Sequence, residues 1–309
     1  MSVIFRYIKD YYQTVFHPLY FFLMCLLMGT LIYLNYWHGL ELKYIRGGQN
    51  PGEQFLGYYL LYAIPFAIAF FIQRIFFTEH SYFKNYWFWI ILFVAPAFFA
   101  FRVNFTVQEI LFKKYWTGDT LRFWQHSLNW VVRVIVLMIP VYLLWWIKDR
   151  KHQPFYGTKK LDTLQPYLWM LIIMLPLIAI ASTQTDFQAL YPRAKFLTAL
   201  QLPNKTLHYF IYELCYGFDF VSIEFFFRGF LILSLAKICG KHCILPVACF
   251  YCAIHFGKPM GEAISSFWGG LLLGIVSYHS RSIWGGLIVH LGIAWMMEVG
   301  GWMALFIKG

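Results

Sequence analysis

The chain has 309 residues, of which 60% are hydrophobic, 22% aromatic and only 13% charged. That composition excludes a soluble domain of ordinary make-up and defines a polytopic membrane protein. The formal net charge of +11 comes from Lys and Arg scattered among short loops. Without a basic face, nucleic acid is not an expected partner; the lipid bilayer, through its anionic headgroups, is.

Low-charge windows long enough to cross ~30 Å of hydrocarbon recur along the whole length, and the alternating pattern of a membrane barrel is absent. The expected fold class is all-α, a polytopic transmembrane helical bundle. Arg6 and Lys9 precede a long apolar run with no small-residue cleavage pattern after it, which reads as an uncleaved first helix at 18–36. Further spans are expected at 55–72, 86–101, 128–147, 165–182, 208–236, 243–256, 262–279 and 283–303. With two of these merging or re-entering, about eight spans result. Arg133, inside "LNWVVRVIVLMIP", reads as an interfacial residue that snorkels. The densest basic cluster, "KDRKHQPFYGTKK" at 148–160, favours a cytoplasmic loop after the fourth span, which puts the N-terminus inside.

The character of the chain changes near residue 200, so it divides into N-terminal aromatic-rich transmembrane helices (1–200) and a C-terminal transmembrane core (201–309) that carries the polar groups. Glu213, Asp219, Glu224, Arg228, His255, Glu262, His290 and Glu298 all lie within or beside apolar sequence there. Each such residue costs ~2.5 to 3.5 kcal/mol on insertion scales unless it is paired or faces a cavity, which marks this region as a candidate site. The glycines of "FWGGLLLGIVSYHSRSIWGGLIVHLGIAW" read as helix packing alone. Cys249 and Cys252 have metal-like spacing, but no second pair completes a four-ligand site, so the cysteines read as buried apolar thiols.

In "VSIEFFFRGF" (221–230), Glu224 and Arg228 are four apart, sharing a helical face with the acid on the N-terminal side. They can neutralise each other in a low dielectric, and a structural ion pair explains them as well as a site does. His255 closes the run "CFYCAIHFGKPMGE", where Gly257 and Pro259 end a helix, and His290 lies mid-span with Glu298 eight residues on along the same face. Two histidines and one or more carboxylates on separate spans can bind a divalent metal or activate a water directly.

These residues resemble the CPBP family of intramembrane endopeptidases, which includes the type II prenyl-protein (CAAX) proteases and the bacteriocin-processing and self-immunity proteins. The family signature is Glu-Glu-x-x-x-Arg-Gly, then Phe-x-x-x-His, then His-x-x-x-Asn. "IEFFFRGF" matches the first motif, "YCAIH" the second with Tyr251 for Phe, and "HLGIA" the third, in order across residues 208–300. The resemblance implies a hydrolase, an intramembrane metalloprotease that cleaves a membrane-anchored protein or peptide, multi-pass in a bacterial inner (cytoplasmic) membrane. It implies Glu224, Arg228, His255 and His290 as catalytic residues, and a divalent metal such as zinc on His255, His290 and Glu224.

Two family positions are apolar here. The first glutamate falls at Ile223 and the asparagine at Ala294. Glu224 can take over as base if the helix is rotated or locally distorted, since neighbours on a helix point about 100° apart. Alternatively Glu262, Asp219 or Glu298 supplies the missing acid; Glu262 is favoured because the turn "HFGKPMGE" can fold it back toward His255, although it equally suits the N-terminus of the next helix. The third possibility is a catalytically inactive adaptor or assembly factor on the same scaffold. A small-solute transporter is the weakest reading, for want of an internal repeat.

Overall fold

Inside hydrocarbon only the chain itself can satisfy backbone N–H and C=O groups, so the apolar windows become helices. The computed structural model describes residues 2–78 and 81–308. An amphipathic helix α1 (Ser2–Val15) precedes α2 (Pro18–His38), α3 (Pro51–Phe76), α4 (Tyr86–Asn104), the short α5 (Gln108–Tyr115) and α6 (Gly118–Leu144). Then come α7 (Gln165–Ala181), α8 (Thr185–Leu190), α9 (Lys205–Glu224), α10 (Leu235–Cys239), α11 (Ile244–Ala253), α12 (Met260–Ser280) and α13 (Trp284–Lys308). The starts are chemically marked. Pro18 opens α2, and at α3 the Asn50 side chain accepts the Glu53 N–H while Glu53 accepts from Gln49 N.

Among the described residues seven helical segments are long and apolar enough to cross a membrane, and α7 is a shorter apolar helix. The protein is thus a multi-pass helical bundle of roughly eight spans, as the sequence implies. The two spans expected at 208–236 and 243–256 are the pair that deviates. α9 runs on without a break into a π-helix, Phe225–Ser234, and then α10. α11 has only ten residues, about 15 Å of rise, half the hydrocarbon thickness.

This pair forms the centre of the bundle. Residues 222–235 and 243–253 are all buried, and Phe226, Phe227 and Phe250 interlock with Phe99, Tyr62 and Phe66. The phenylalanines of "VSIEFFFRGF" therefore face protein, whereas α7 turns Leu168, Trp169, Ile172, Leu175 and Ile180 outward. The six cysteines are free thiols, four of them buried, and Cys252 donates to the Ala263 carbonyl.

One end of the bundle carries both α1 and the basic loop. Asp10 pairs with Lys241 at 2.6 Å, Tyr7 stacks on His279, Ile283 N donates to Gly157 O, and Ser282 Oγ donates to Lys159 O. The loop is clamped by buried Asp149, which accepts from Tyr156, Lys148 and Ser234. Gly229 makes this closure possible, since a Cβ there would sit 2.9 Å from the Tyr156 carbonyl oxygen.

On the α4 side, Arg102 and Asp219 form a buried ion pair, and Arg133 lies over the Trp130 ring at 5.1 Å. Removing one partner of a buried pair strands the other charge. Arg102→Met is expected to cost about 3 to 5 kcal/mol, read as a lower melting temperature in detergent, and Arg102→Met with Asp219→Leu is expected to recover most of it.

Candidate functional site

The π-helix begins at Phe225, immediately after Glu224. Its wider turns, with i to i+5 hydrogen bonds, change which residues face which neighbour. Ile223 lies in the main apolar cluster, while Glu224, fully buried, meets α13. Its Oε1 is 2.9 Å from His290 Nδ1, and its Oε2 is 3.7 Å from Arg228 Nε. The distortion required for Glu224 to reach the site is thus present in the helix that carries it.

Arg228 is also fully buried, and none of its three guanidinium nitrogens hydrogen-bonds a protein group. Its charge is balanced by Glu224 and by the face of Tyr251, whose ring lies 4.2 Å from the guanidinium carbon. Tyr251 also holds both histidines. Its hydroxyl is 3.2 Å from His290 Nε2, and its carbonyl accepts from His255 Nδ1 at 2.8 Å. A carboxylate only accepts, so His290 Nδ1 carries the proton toward Glu224, and a neutral imidazole then accepts the Tyr251 O–H at Nε2.

His255 sits in the turn between α11 and α12, as the Gly257 and Pro259 punctuation implies. Asn35 donates to the Phe256 carbonyl and Tyr36 to the Lys258 carbonyl, pinning this turn to the end of α2. Burial, with nearby Lys258 adding to it, pushes the imidazole pKa down to about 3. His255 is therefore neutral, with Nδ1 donating and Nε2 offering a lone pair.

The other acids are committed elsewhere. Glu262 pairs with Lys258 at 2.6 Å and accepts from Tyr191 at 2.9 Å, so it makes no hydrogen bond to His255. Glu298 accepts the backbone N–H groups of Arg193 and Ala194, and Asp219 belongs to Arg102. Ala294, one turn beyond His290, packs in an apolar cluster with Phe220 and Tyr216. The structure brings together Glu224, Arg228, His290 and Tyr251, with His255 against the Tyr251 ring at 4.7 Å.

The metal set His255, His290 and Glu224 is not assembled. Among the described residues no three His, Cys, Asp or Glu side chains are grouped to hold an ion. His290 has both nitrogens engaged, by Glu224 and Tyr251. The donor set in this arrangement does not fit a zinc-type centre, which takes three or four converging ligands.

Two contributors are not evident from sequence reasoning. Tyr251 reads there only as a substitute for Phe, though its hydroxyl among apolar neighbours is itself the signal. Gly286 reads as packing, yet a Cβ there would overlap Glu224 Oε2, so its missing side chain is what admits the carboxylate.

The fold and this buried polar cluster define a multi-pass membrane protein with an intramembrane site. Residues 205–296 match the family model described as type II CAAX prenyl endopeptidase Rce1-like, consistent with the CPBP resemblance of the three motifs. Residues 1–204 lie outside that match. No curated protein and no solved structure matches the chain.

Gly286→Ala is expected to force Glu224 away from α13. Overpacking of this kind costs about 1 to 3 kcal/mol. The variant should still fold, and the histidine NMR signal of His290 should move as it does in Glu224→Gln.

Proposed function

We propose that the protein is an intramembrane endopeptidase of the type II CAAX protease kind, hydrolysing a peptide bond of a membrane-associated protein or peptide. The observation that carries this reading is the 2.9 Å contact of Glu224 with His290 inside the bundle. A carboxylate that orients an imidazole and stabilises its protonated form is the acid–base unit that peptide hydrolysis needs. The match of residues 205–296 supports it. Prenylated and bacterial peptides fit the reading equally.

In this mechanism His290 and Glu224 receive the proton of the attacking water. Arg228 supplies positive charge beside the Glu224 carboxylate. His255, held by the Tyr251 carbonyl, presents Nε2 as an acceptor that orients water or a substrate N–H. Glu262 acts on the turn, tying Lys258 and Tyr191 to the start of α12. The site is reachable, because 14% of the His290 side chain is exposed. No step is routed through a metal.

A second reading, a non-catalytic membrane adaptor, is favoured by one specific observation. Ile223 and Ala294 are both packed in apolar clusters, so the two family groups replaced there have no polar substitute at those positions.

One experiment separates the two. With the full chain in lipid nanodiscs and a panel of quenched-fluorescence peptides, membrane-anchored by a prenyl group or by an apolar helix, the wild type should cleave. Glu224→Gln, His290→Ala and His255→Ala should each lower the rate by two or more orders of magnitude. No cleavage by the wild type would overturn the peptidase reading. Peptide binding that survives in all three variants, without cleavage by any form, would establish the adaptor.

A further inference from the structure

The chain departs from the family signature at three buried positions. Two lose a polar group, Ile223 and Ala294, and one gains a hydroxyl, Tyr251. The gained hydroxyl lands on His290 Nε2, the nitrogen that would otherwise take a proton from water. Tyr251 is held there firmly. Gly270 leaves room for its ring, since a Cβ would approach Cδ1 to 2.9 Å, Phe227 packs edge-on at 5.0 Å, and Arg228 covers one face.

The contacts form one chain, Glu224 Oε1 to His290 Nδ1 to His290 Nε2 to Tyr251 Oη. Because His290 spends its Nε2 lone pair on the Tyr251 O–H, it has no acceptor left for a water. The tyrosine oxygen still has acceptor capacity. We propose that Tyr251 Oη is the outer end of a buried proton relay, Glu224–His290–Tyr251, and the atom at which the attacking water is deprotonated. This rests on the endopeptidase reading above.

The proton balance closes. Water gives a proton to Tyr251 Oη as the phenol passes its own proton to His290 Nε2, leaving an imidazolium held by Glu224. The water's electron pair forms the bond to the carbonyl carbon, and the carbonyl π pair moves to its oxygen. When that pair returns, the C–N bond breaks, and the leaving nitrogen recovers the proton from His290 through Tyr251. Water and a peptide bond become a carboxylic acid and an amine.

Tyr251→Phe removes one oxygen and keeps the ring between Arg228 and His255, so the bundle should melt as the wild type does. In the nanodisc assay it should lower kcat at least tenfold with KM within threefold. A proton inventory in mixtures of light and heavy water should change from curved, with several protons in flight, to linear. A merely structural tyrosine would not alter that inventory. A variant with kcat within twofold of wild type and an unchanged inventory overturns the relay alone, whereas a wild type that cleaves no peptide overturns the endopeptidase reading and the relay's catalytic role with it. A second measurement needs neither the variant nor activity. In wild-type protein with ¹⁵N-labelled histidine, His290 should show a protonated Nδ1 and an accepting Nε2; a proton on Nε2 overturns the proposal.

Discussion

Everything at the centre of this bundle follows from placing the Glu224 carboxylate where water does not reach it. A buried charge is tolerated only with partners of good geometry, and removing one partner costs several kcal/mol. Here the partners come from three elements: Arg228 on the same helix, His290 on α13, and the gap left by Gly286. The π-helix that starts at Phe225 is part of the same solution, because it leaves Ile223 in the apolar core while Glu224 meets the histidine. A regular helix would set the two residues about 100° apart in the same way but would fix a different phase for Arg228.

α11 organises the rest. It is too short to span the membrane, and its end is pinned from outside by Asn35 and Tyr36. That places His255 in a rigid turn and lets one residue, Tyr251, touch Arg228, His255 and His290 together. The remaining acids keep the scaffold in shape. Glu298 satisfies two backbone donors of the 193–194 loop, Glu262 locks the turn to Lys258 and Tyr191, and Asp219 neutralises Arg102. An acid count in the C-terminal third thus overstates the number available for chemistry.

Much of this was legible beforehand. The spans, the turn after His255 and the shared face of Glu224 and Arg228 rest on local rules of hydropathy, Gly and Pro punctuation and helical spacing. The pairing of Glu262 with Lys258 was equally local, four residues apart, and was obscured by the pull of the missing family acid. The π-helix was not legible, since nothing in "EFFFRGF" alone prefers i to i+5 bonding; it follows from how Gly229 and the phenylalanines pack against Tyr156, Phe99 and Phe250.

By itself, the sequence determined that this is a multi-pass helical bundle whose C-terminal third holds costly charges, and it identified the motifs that carry the family likeness. Composition and short-range spacing suffice for that, because the bilayer imposes helix on any long apolar segment. Only the tertiary structure decided which acid meets which histidine, that His290 is closed at both nitrogens, and that His255 stands apart from a metal-ligand set. Those outcomes depend on residues 27 to 66 positions apart in the chain, whose mutual distance no local interval encodes. In the interior of a membrane bundle, geometry between helices decides whether a charge is a partner or a reagent.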